Sequence, residues 1–314
     1  MMTNNDRLKT LLGYSIPSII AMILSTSLTL TDGYFVGNYV GEKALASISL
    51  GLPILYLYLG LGLCIGVGGS VISGQLIGRK DRDKASSVFT ESIVTALAIT
   101  LLLSAGVYLL FNPILRLLKA EGELSVFFKS YYRVMLFSYP LLVLTTIFGM
   151  FIRTDGRPQV FMGISLLESV LNFILDYVFL KKLNMGVKGS AYATLIVKVV
   201  SCTICILYFL FSSKSIKIKR FSFDCAVFQQ SMLNGSSEFI GEMAGAISMM
   251  ALNYVLMKYV GEGEVAAFTI LGFAVYGYNM ITIGFGQGLS PIVSVLWGKN
   301  EREEAMDMRR LASN

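Results

Sequence analysis

Tyr39-Val40-Gly41-Glu42 recurs 220 residues later as Tyr259-Val260-Gly261-Glu262, and the match continues without a gap. At the same offset Ala46, Tyr56, Tyr58, Gly66, Gly68, Ser70, Leu76, Gly78, Arg82 and Ala85 meet Ala266, Tyr276, Tyr278, Gly286, Gly288, Ser290, Leu296, Gly298, Arg302 and Ala305. Shared apolar composition scatters Leu and Ala matches; it does not hold glycines, tyrosines and an arginine in one register. Six helical segments precede the second copy, an even number. Both copies therefore cross a membrane in the same direction, and the repeat is parallel about an axis along the membrane normal.

The membrane itself follows from composition. Hydrophobic residues make up 54% of the 314 and charged residues 15%, too apolar and too charge-poor for a soluble fold of this length. Apolar runs of about 20 residues or more recur throughout, each able to cross roughly 30 Å of hydrocarbon as a helix. The pattern predicts helices at about 11–36, 44–77, 88–111, 131–153, 159–180, 187–212, 229–258 and 264–297. The expected fold is an all-α polytopic membrane protein of two parallel six-helix repeats, with about eight transmembrane helices present. Residues 1–220 form the N-terminal six-helix lobe and 221–314 the first two helices of an incomplete C-terminal lobe. An equal second copy needs roughly 130 further residues and four more helices.

Arg7 and Lys9 precede the first apolar run, which is too long for a signal peptide and lacks a small-residue cleavage pattern, so it reads as a retained helix. Lys and Arg crowd one set of loops, at Arg79, Lys80, Arg82, Lys84, Arg153, Arg157, Lys214, Lys217, Lys219, Arg220, Lys299, Arg302, Arg309 and Arg310. The bias places the N-terminus in the cytoplasm of a multi-pass protein of the cell (inner) membrane. It also accounts for the net charge of +6 without a nucleic-acid partner. Histidine is absent, which removes imidazole relays and His-ligated metals, and leaves proton or ion chemistry to carboxylates. Cys64, Cys202, Cys205 and Cys225 have no metal-like grouping and read as packing residues. With no nucleophile beside a base and no metal cluster, an enzyme is not expected.

Ionisable groups at membrane depth are costly and point to function. Asp32, Glu168, Asp176, Lys198, Glu238 and Glu242 are such groups, with Glu91 close to a helix entrance. Glu168, Asn172 and Asp176 follow one another at intervals of four, a polar stripe on one helix face that should line a cavity. Two carboxylates and an amide suit a proton or a small hard cation. The same stripe read structurally ties helices together by hydrogen bonds. Asp32 closes the hydroxyl-rich run Ser25-Thr26-Ser27-Leu28-Thr29-Leu30-Thr31 and reads either as a site residue or as a solvated residue near the helix end. Lys198 pairs with an acid or snorkels. Glu238 and Glu242 share a face but map onto Ser18 and Met22 of the first copy, so the halves differ there. Pro17, Pro53, Pro140 and Pro291 fall within spans, where kinks are tolerated.

Three further stretches resemble the multidrug and toxic compound extrusion (MATE) family, most of all its bacterial DinF and MepA branches. Thr31-Asp32-Gly33-Tyr34-Phe35-Val36-Gly37 with Ala44-Leu45-Ala46 is similar to its first-helix signature. Asn172 and Asp176 followed by Gly186-Val187-Lys188-Gly189-Ser190-Ala191-Tyr192-Ala193-Thr194 resemble the fifth-to-sixth-helix signature, and Gly286-Gln287-Gly288 with Pro291 the eighth. The resemblance implies a twelve-helix, two-lobed antiporter that exports amphipathic, often cationic drug-like compounds in exchange for H⁺ or Na⁺. It needs no cofactor beyond that ion and acts as a monomer in the bilayer. It carries the family's ion site onto Asp32, Asn172, Asp176 and Thr194, with Tyr131 beside it. Glu168, Glu238 and Glu242 match no family residue and stand as substrate or coupling candidates from their placement alone. Against twelve helices the chain reads as truncated at its C-terminus. The alternatives are a non-transporting fragment and a lipid-linked oligosaccharide flippase of the same superfamily, the latter expected to carry basic rather than acidic lining.

Overall fold

The computed structural model describes residues 3–117, 121–219, 223–259 and 262–313, excepting the side chains of 117, 249, 250 and 252–277. Eleven α-helices follow one another: α1 (Asn4–Tyr39), α2 (Glu42–Leu50), α3 (Leu52–Gly78), α4 (Arg82–Leu109), α5 (Phe111–Leu117), α6 (Glu123–Thr154), α7 (Pro158–Asp176), α8 (Val187–Leu207), α9 (Cys225–Tyr259), α10 (Glu262–Gly298) and α11 (Arg302–Ser313). α7 and α8 run on into wider-wound turns, Tyr177–Lys182 and Tyr208–Ser212, closed by bonds from Leu183 N–H to Val178 O (2.9 Å) and Ser213 N–H to Tyr208 O (3.0 Å). No strand occurs among the described residues.

Seven stretches among them are long and apolar enough to cross a membrane: α1, α3, α4, α6, α7 and α8 with their extensions, and Tyr278–Gly298 of α10. The 35-residue α9 exceeds the length a bilayer requires. Leu102, Phe137 and Phe211 are 73–80% exposed on the outer surface, as an apolar solvent allows. The core centres on α6, whose Phe128, Tyr132, Tyr139, Phe148 and Phe151 are buried. Phe89 of α4 and Phe209 after α8 close over it with ring centroids 4.2 Å apart.

Helix ends obey local chemistry. Thr3 caps α1 by accepting the Asp6 N–H, and Asp81 caps α4 by accepting that of Lys84. The single helix expected over 44–77 is instead broken at Gly51. Pro53 in the first turn of α3 brings no N–H, and the Tyr132 hydroxyl donates at 2.7 Å to the Ile48 carbonyl, which also accepts the Gly51 N–H at 3.0 Å. A Cβ at Gly51 would lie 2.1 Å from the Tyr132 ring, so only glycine admits that ring. α6 starts at Glu123 rather than near 131, and α5 and α11 are helices the apolar pattern does not announce, being short or mostly polar.

The repeat is visible in the backbone. After α3, the N–H groups of Arg79, Lys80, Asp81 and Ala85 bond to Gln75, Ile77, Leu76 and Asp81; after α10, those of Lys299, Asn300, Glu301 and Ala305 bond to Val295, Trp297, Leu296 and Glu301. These are the same four bonds moved by 220, and Lys80 and Asn300 share a positive φ of 66° and 65°. Of the repeated tetrapeptide, Val260 and Gly261 lie outside the described residues.

Related positions also touch. A Cβ on Gly78 would lie 2.8 Å from the Gly298 Cα, and one on Gly298 2.0 Å from the Gln75 carbonyl oxygen, so α3 and α10 cross backbone to backbone. Farther along, Gly284 and Gly288 of α10 lie against Ile19 and Ser15 of α1, while Gly68 of α3 and Gly235 of α9 lie against Ser231 and Cys64. Arg7 of α1 reaches α11, with Nε 2.6 Å from Glu304 and Nη2 2.9 Å from Asp307.

Replacing Gly298 by Val forces backbone apart, and the thermal midpoint of the purified chain is expected to fall by the equivalent of about 1–3 kcal/mol. Gly286→Ala, where a Cβ meets nothing within 4 Å, leaves the midpoint in place. Equal midpoints for the two variants contradict the close crossing.

Candidate cation site

Asp32 sits near the C-terminal end of α1, half-buried rather than solvated. Asn172 of α7 donates from Nδ2 to its Oδ1 at 3.1 Å, and Thr194 of α8 donates from Oγ1 to its Oδ2 at 3.1 Å. One carboxylate thus joins three helices. Tyr131 of α6 is buried beside the group, within electrostatic range of both Asp32 and Asp176.

Asp176 ends α7 one turn beyond Asn172 and is 0% exposed. Neither of its carboxylate oxygens accepts from an amide, hydroxyl or amine, nor does Asn172 Oδ1. The group acting on Asp176 is the acid Asp32, through a carboxyl–carboxylate contact and through repulsion. Three acceptor oxygens of two side chains are therefore buried next to a third, Asp32, that has already taken the local donors. Unmet acceptors in a dry interior cost several kcal/mol, and two adjacent carboxylates repel. A proton or a small hard cation cancels both penalties, and an all-oxygen set of carboxylate, amide and hydroxyl fits Na⁺. No cluster of three His, Cys, Asp or Glu occurs among the described residues.

The polar stripe of α7 is buried, but it serves two partners. Glu168 lies one turn before Asn172 and forms a salt bridge at 3.0 Å to Lys198, both side chains under 10% exposed. Glu238 and Glu242 lie half-buried on α9, with Glu242 over Gly60 of α3. Since α9 packs on α3, whereas Asp32 is held by α7 and α8, that pair is not brought into the Asp32 group. Glu91 of α4 is buried facing Ser231 and Val227 of α9, with Oε1 unpartnered. Cys64, Cys202 and Cys205 are buried and Cys225 is exposed, all as free thiols.

Two charged residues differ from their sequence reading. Arg153, grouped with the loop cations, is 2% exposed inside α6; its Nε donates to Ser18 of α1 at 3.1 Å and its guanidinium lies 4.7 Å over the Phe161 ring. α6 outruns the apolar pattern by one residue and neighbouring helices cover the end, which a planar, weakly hydrated cation tolerates. Asp155, which drew no attention in the sequence, is buried and accepts from Tyr208 Oη (2.6 Å), Lys214 N (3.0 Å) and Ser215 N (2.7 Å). Gly156 at φ 87° was the available signal, an Asp-Gly turn that aims the carboxylate back at the chain.

The sequence and the fold were compared with known proteins. The family model described as MatE matches residues 17–178, just over half of the chain. The chain belongs to the MATE family, a multi-pass membrane protein class of transporters rather than enzymes. The multidrug export protein MepA of Staphylococcus aureus (strain NCTC 8325) is 29% identical over 289 residues, covering 91% of this chain and 64% of that protein. MepA of Staphylococcus saprophyticus gives the same 29% identity over 299 residues, 91% and 64% coverage. The chain thus spans just under two thirds of these curated relatives. Among solved structures, a MATE transporter in complex with MaL6 superposes with a TM-score of 0.92 at 25% identity, covering 98% of this chain and 68% of that one. A MOP superfamily transporter of Pyrococcus furiosus, whose binding pocket is described as reversed in polarity, superposes at 0.89 with 26% identity and the same coverage.

Asn172→Leu removes one of the two donors to Asp32, and the thermal midpoint is expected to drop by the equivalent of about 1–3 kcal/mol. A variant as stable as the parent would show that this bond is not formed.

Proposed function

We propose that the protein exports amphipathic, cationic small molecules in exchange for H⁺ or Na⁺ taken up at Asp32, Asn172, Asp176 and Thr194. The observation that carries this reading is the buried carboxylate of Asp176, which accepts from no amide, hydroxyl or amine and faces only the second acid, Asp32. The name multidrug export protein borne by the MepA relatives supports the class of cargo. In this reading residues 1–220 are one lobe, 221–314 the start of the second, and the N-terminus is cytoplasmic, as the loop charges favour.

The chain's own groups supply the coupling. Asn172 and Thr194 each hold one oxygen of Asp32, which also meets Asp176. Bound cation neutralises the pair and lets α1, α7 and α8 stay packed; without it, repulsion between carboxylates favours drawing α1 away or engaging a cationic substrate. Ion and substrate thus compete for one negative charge, and by linkage each weakens the other.

In bacteria lacking their own exporters, the protein is expected to lower accumulation of a cationic dye, an effect lost when both the H⁺ and Na⁺ gradients are collapsed. Asp176→Asn abolishes it; undiminished gradient-driven efflux by that variant sinks the assignment. With the purified chain, the coupling cation raises the thermal midpoint by about 2.7 kcal/mol equivalent at a hundredfold excess over its dissociation constant.

A further inference from the structure

We infer that the buried Glu168–Lys198 ion pair is a built-in counter-charge that sets the cation affinity of the Asp32–Asp176 site. This rests on the cation-site reading above and deepens it. Glu168 precedes Asn172 by one turn of α7, and Lys198 follows Thr194 by one turn of α8. The two donors to Asp32 and the two members of the ion pair are therefore stacked on the same pair of facing helices, in two storeys about 5–6 Å apart. The upper storey carries Asp32, with Asp176 one further turn along α7; the lower carries Glu168 bonded to Lys198 at 3.0 Å. α7 runs away from the turn at 155–157 and α8 runs back, so the pair lies on the side of the site that also carries the amino terminus.

A buried pair of this kind adds little to stability compared with apolar residues of equal volume, so its presence calls for another role. Its charges are not screened by water, and the field of the Lys198 ammonium reaches Asp32. The groups facing this region are Asp32 from α1, Tyr131 and Tyr139 from α6, Glu168 and Asp176 from α7, and Lys198, Cys202 and Cys205 from α8. Lys198 is the one cation among those named. It offsets part of the negative charge that a bound cation would feel, and Glu168 holds it one storey away so that it does not occupy the site itself.

The two members consequently act with opposite sign. Removing the positive charge by Lys198→Gln strengthens cation binding. Removing the tether by Glu168→Gln frees Lys198 toward Asp32 and Asp176 and weakens it. A pair that served only to fasten α7 to α8 would shift both variants in the same direction, because either change breaks the same bond.

The test uses the purified chain in lipid nanodiscs, with Na⁺ and H⁺ each titrated against the thermal midpoint; the probe is the cation that stabilises the parent and not Asp176→Asn. The half-saturating concentration is expected to fall about tenfold in Lys198→Gln and to rise about tenfold in Glu168→Gln, the scale of one unit charge acting through an effective dielectric near 20. Lys198→Arg, which keeps the charge, stays within about threefold of the parent and remains informative if a neutral variant does not fold. Shifts of the same sign, or none, overturn the inference while leaving the site intact. If no cation stabilises the parent in an Asp176-dependent way, the site reading itself fails, a distinct result.

Discussion

A carboxylate cannot stay charged and alone in hydrocarbon, and the packing of the first eight helices is arranged around that constraint. Asp32 is the point where it is met: one donor comes from α7, one from α8, and the acid itself from α1. Remove any of the three helices and a polar group is stranded where water does not reach. α6 closes the region with Tyr131, Tyr132 and Tyr139, aromatic bodies whose polar tips tolerate such a neighbourhood. What the arrangement leaves unmet is as telling as what it meets. Asp176 has taken no donor, although serine and threonine hydroxyls abound in these helices and mostly bond back to their own carbonyls. That open acid is what the proposed cation would meet.

The architecture was largely legible because each of its determinants is local or periodic. Twenty-residue apolar runs announce spans, and a register of glycines and tyrosines announces the repeat, which reappears as four identical backbone bonds at the turns after α3 and α10. The misses share a cause. The break at Gly51 depends on Tyr132, 81 positions later in the chain, whose ring and hydroxyl fill the gap. α11 is mostly polar and earns its place by setting Ala305 and Met308 against Leu11, Ile292 and Leu296, a contact no hydropathy window contains. Tertiary partners decide such features, and a single strand of sequence does not name them.

The site was legible to the extent that helical periodicity carries it. Spacing by four put Glu168, Asn172 and Asp176 on one face, and all three are buried there. Asp32 was ambiguous from sequence, since nearness to a helix end does not reveal whether neighbouring helices extend past it. α7 does, through its wider-wound extension, and α8 starts two turns before Thr194, so an acid near the end of α1 lies inside the bundle. Arg153 reversed in the same way: its position among loop cations suggested solvent, and packing by α1 and α7 covered it. Charge counts along a sequence record which side of the membrane a loop favours, not how deep each cation sits.

The two storeys on α7 and α8 carry a consequence for how such a site is kept reversible. A carboxylate pair with nothing to oppose it binds a small cation too firmly to release it, since low dielectric magnifies attraction as much as repulsion. Transport needs an affinity that differs between two states and is modest in at least one. An internal cation one helical turn away supplies that moderation without competing for the ligands, provided something holds it back. Glu168 does so through the 3.0 Å ion pair, which leaves the lower storey nearly neutral as a pair while its cation stays within electrostatic reach of Asp32.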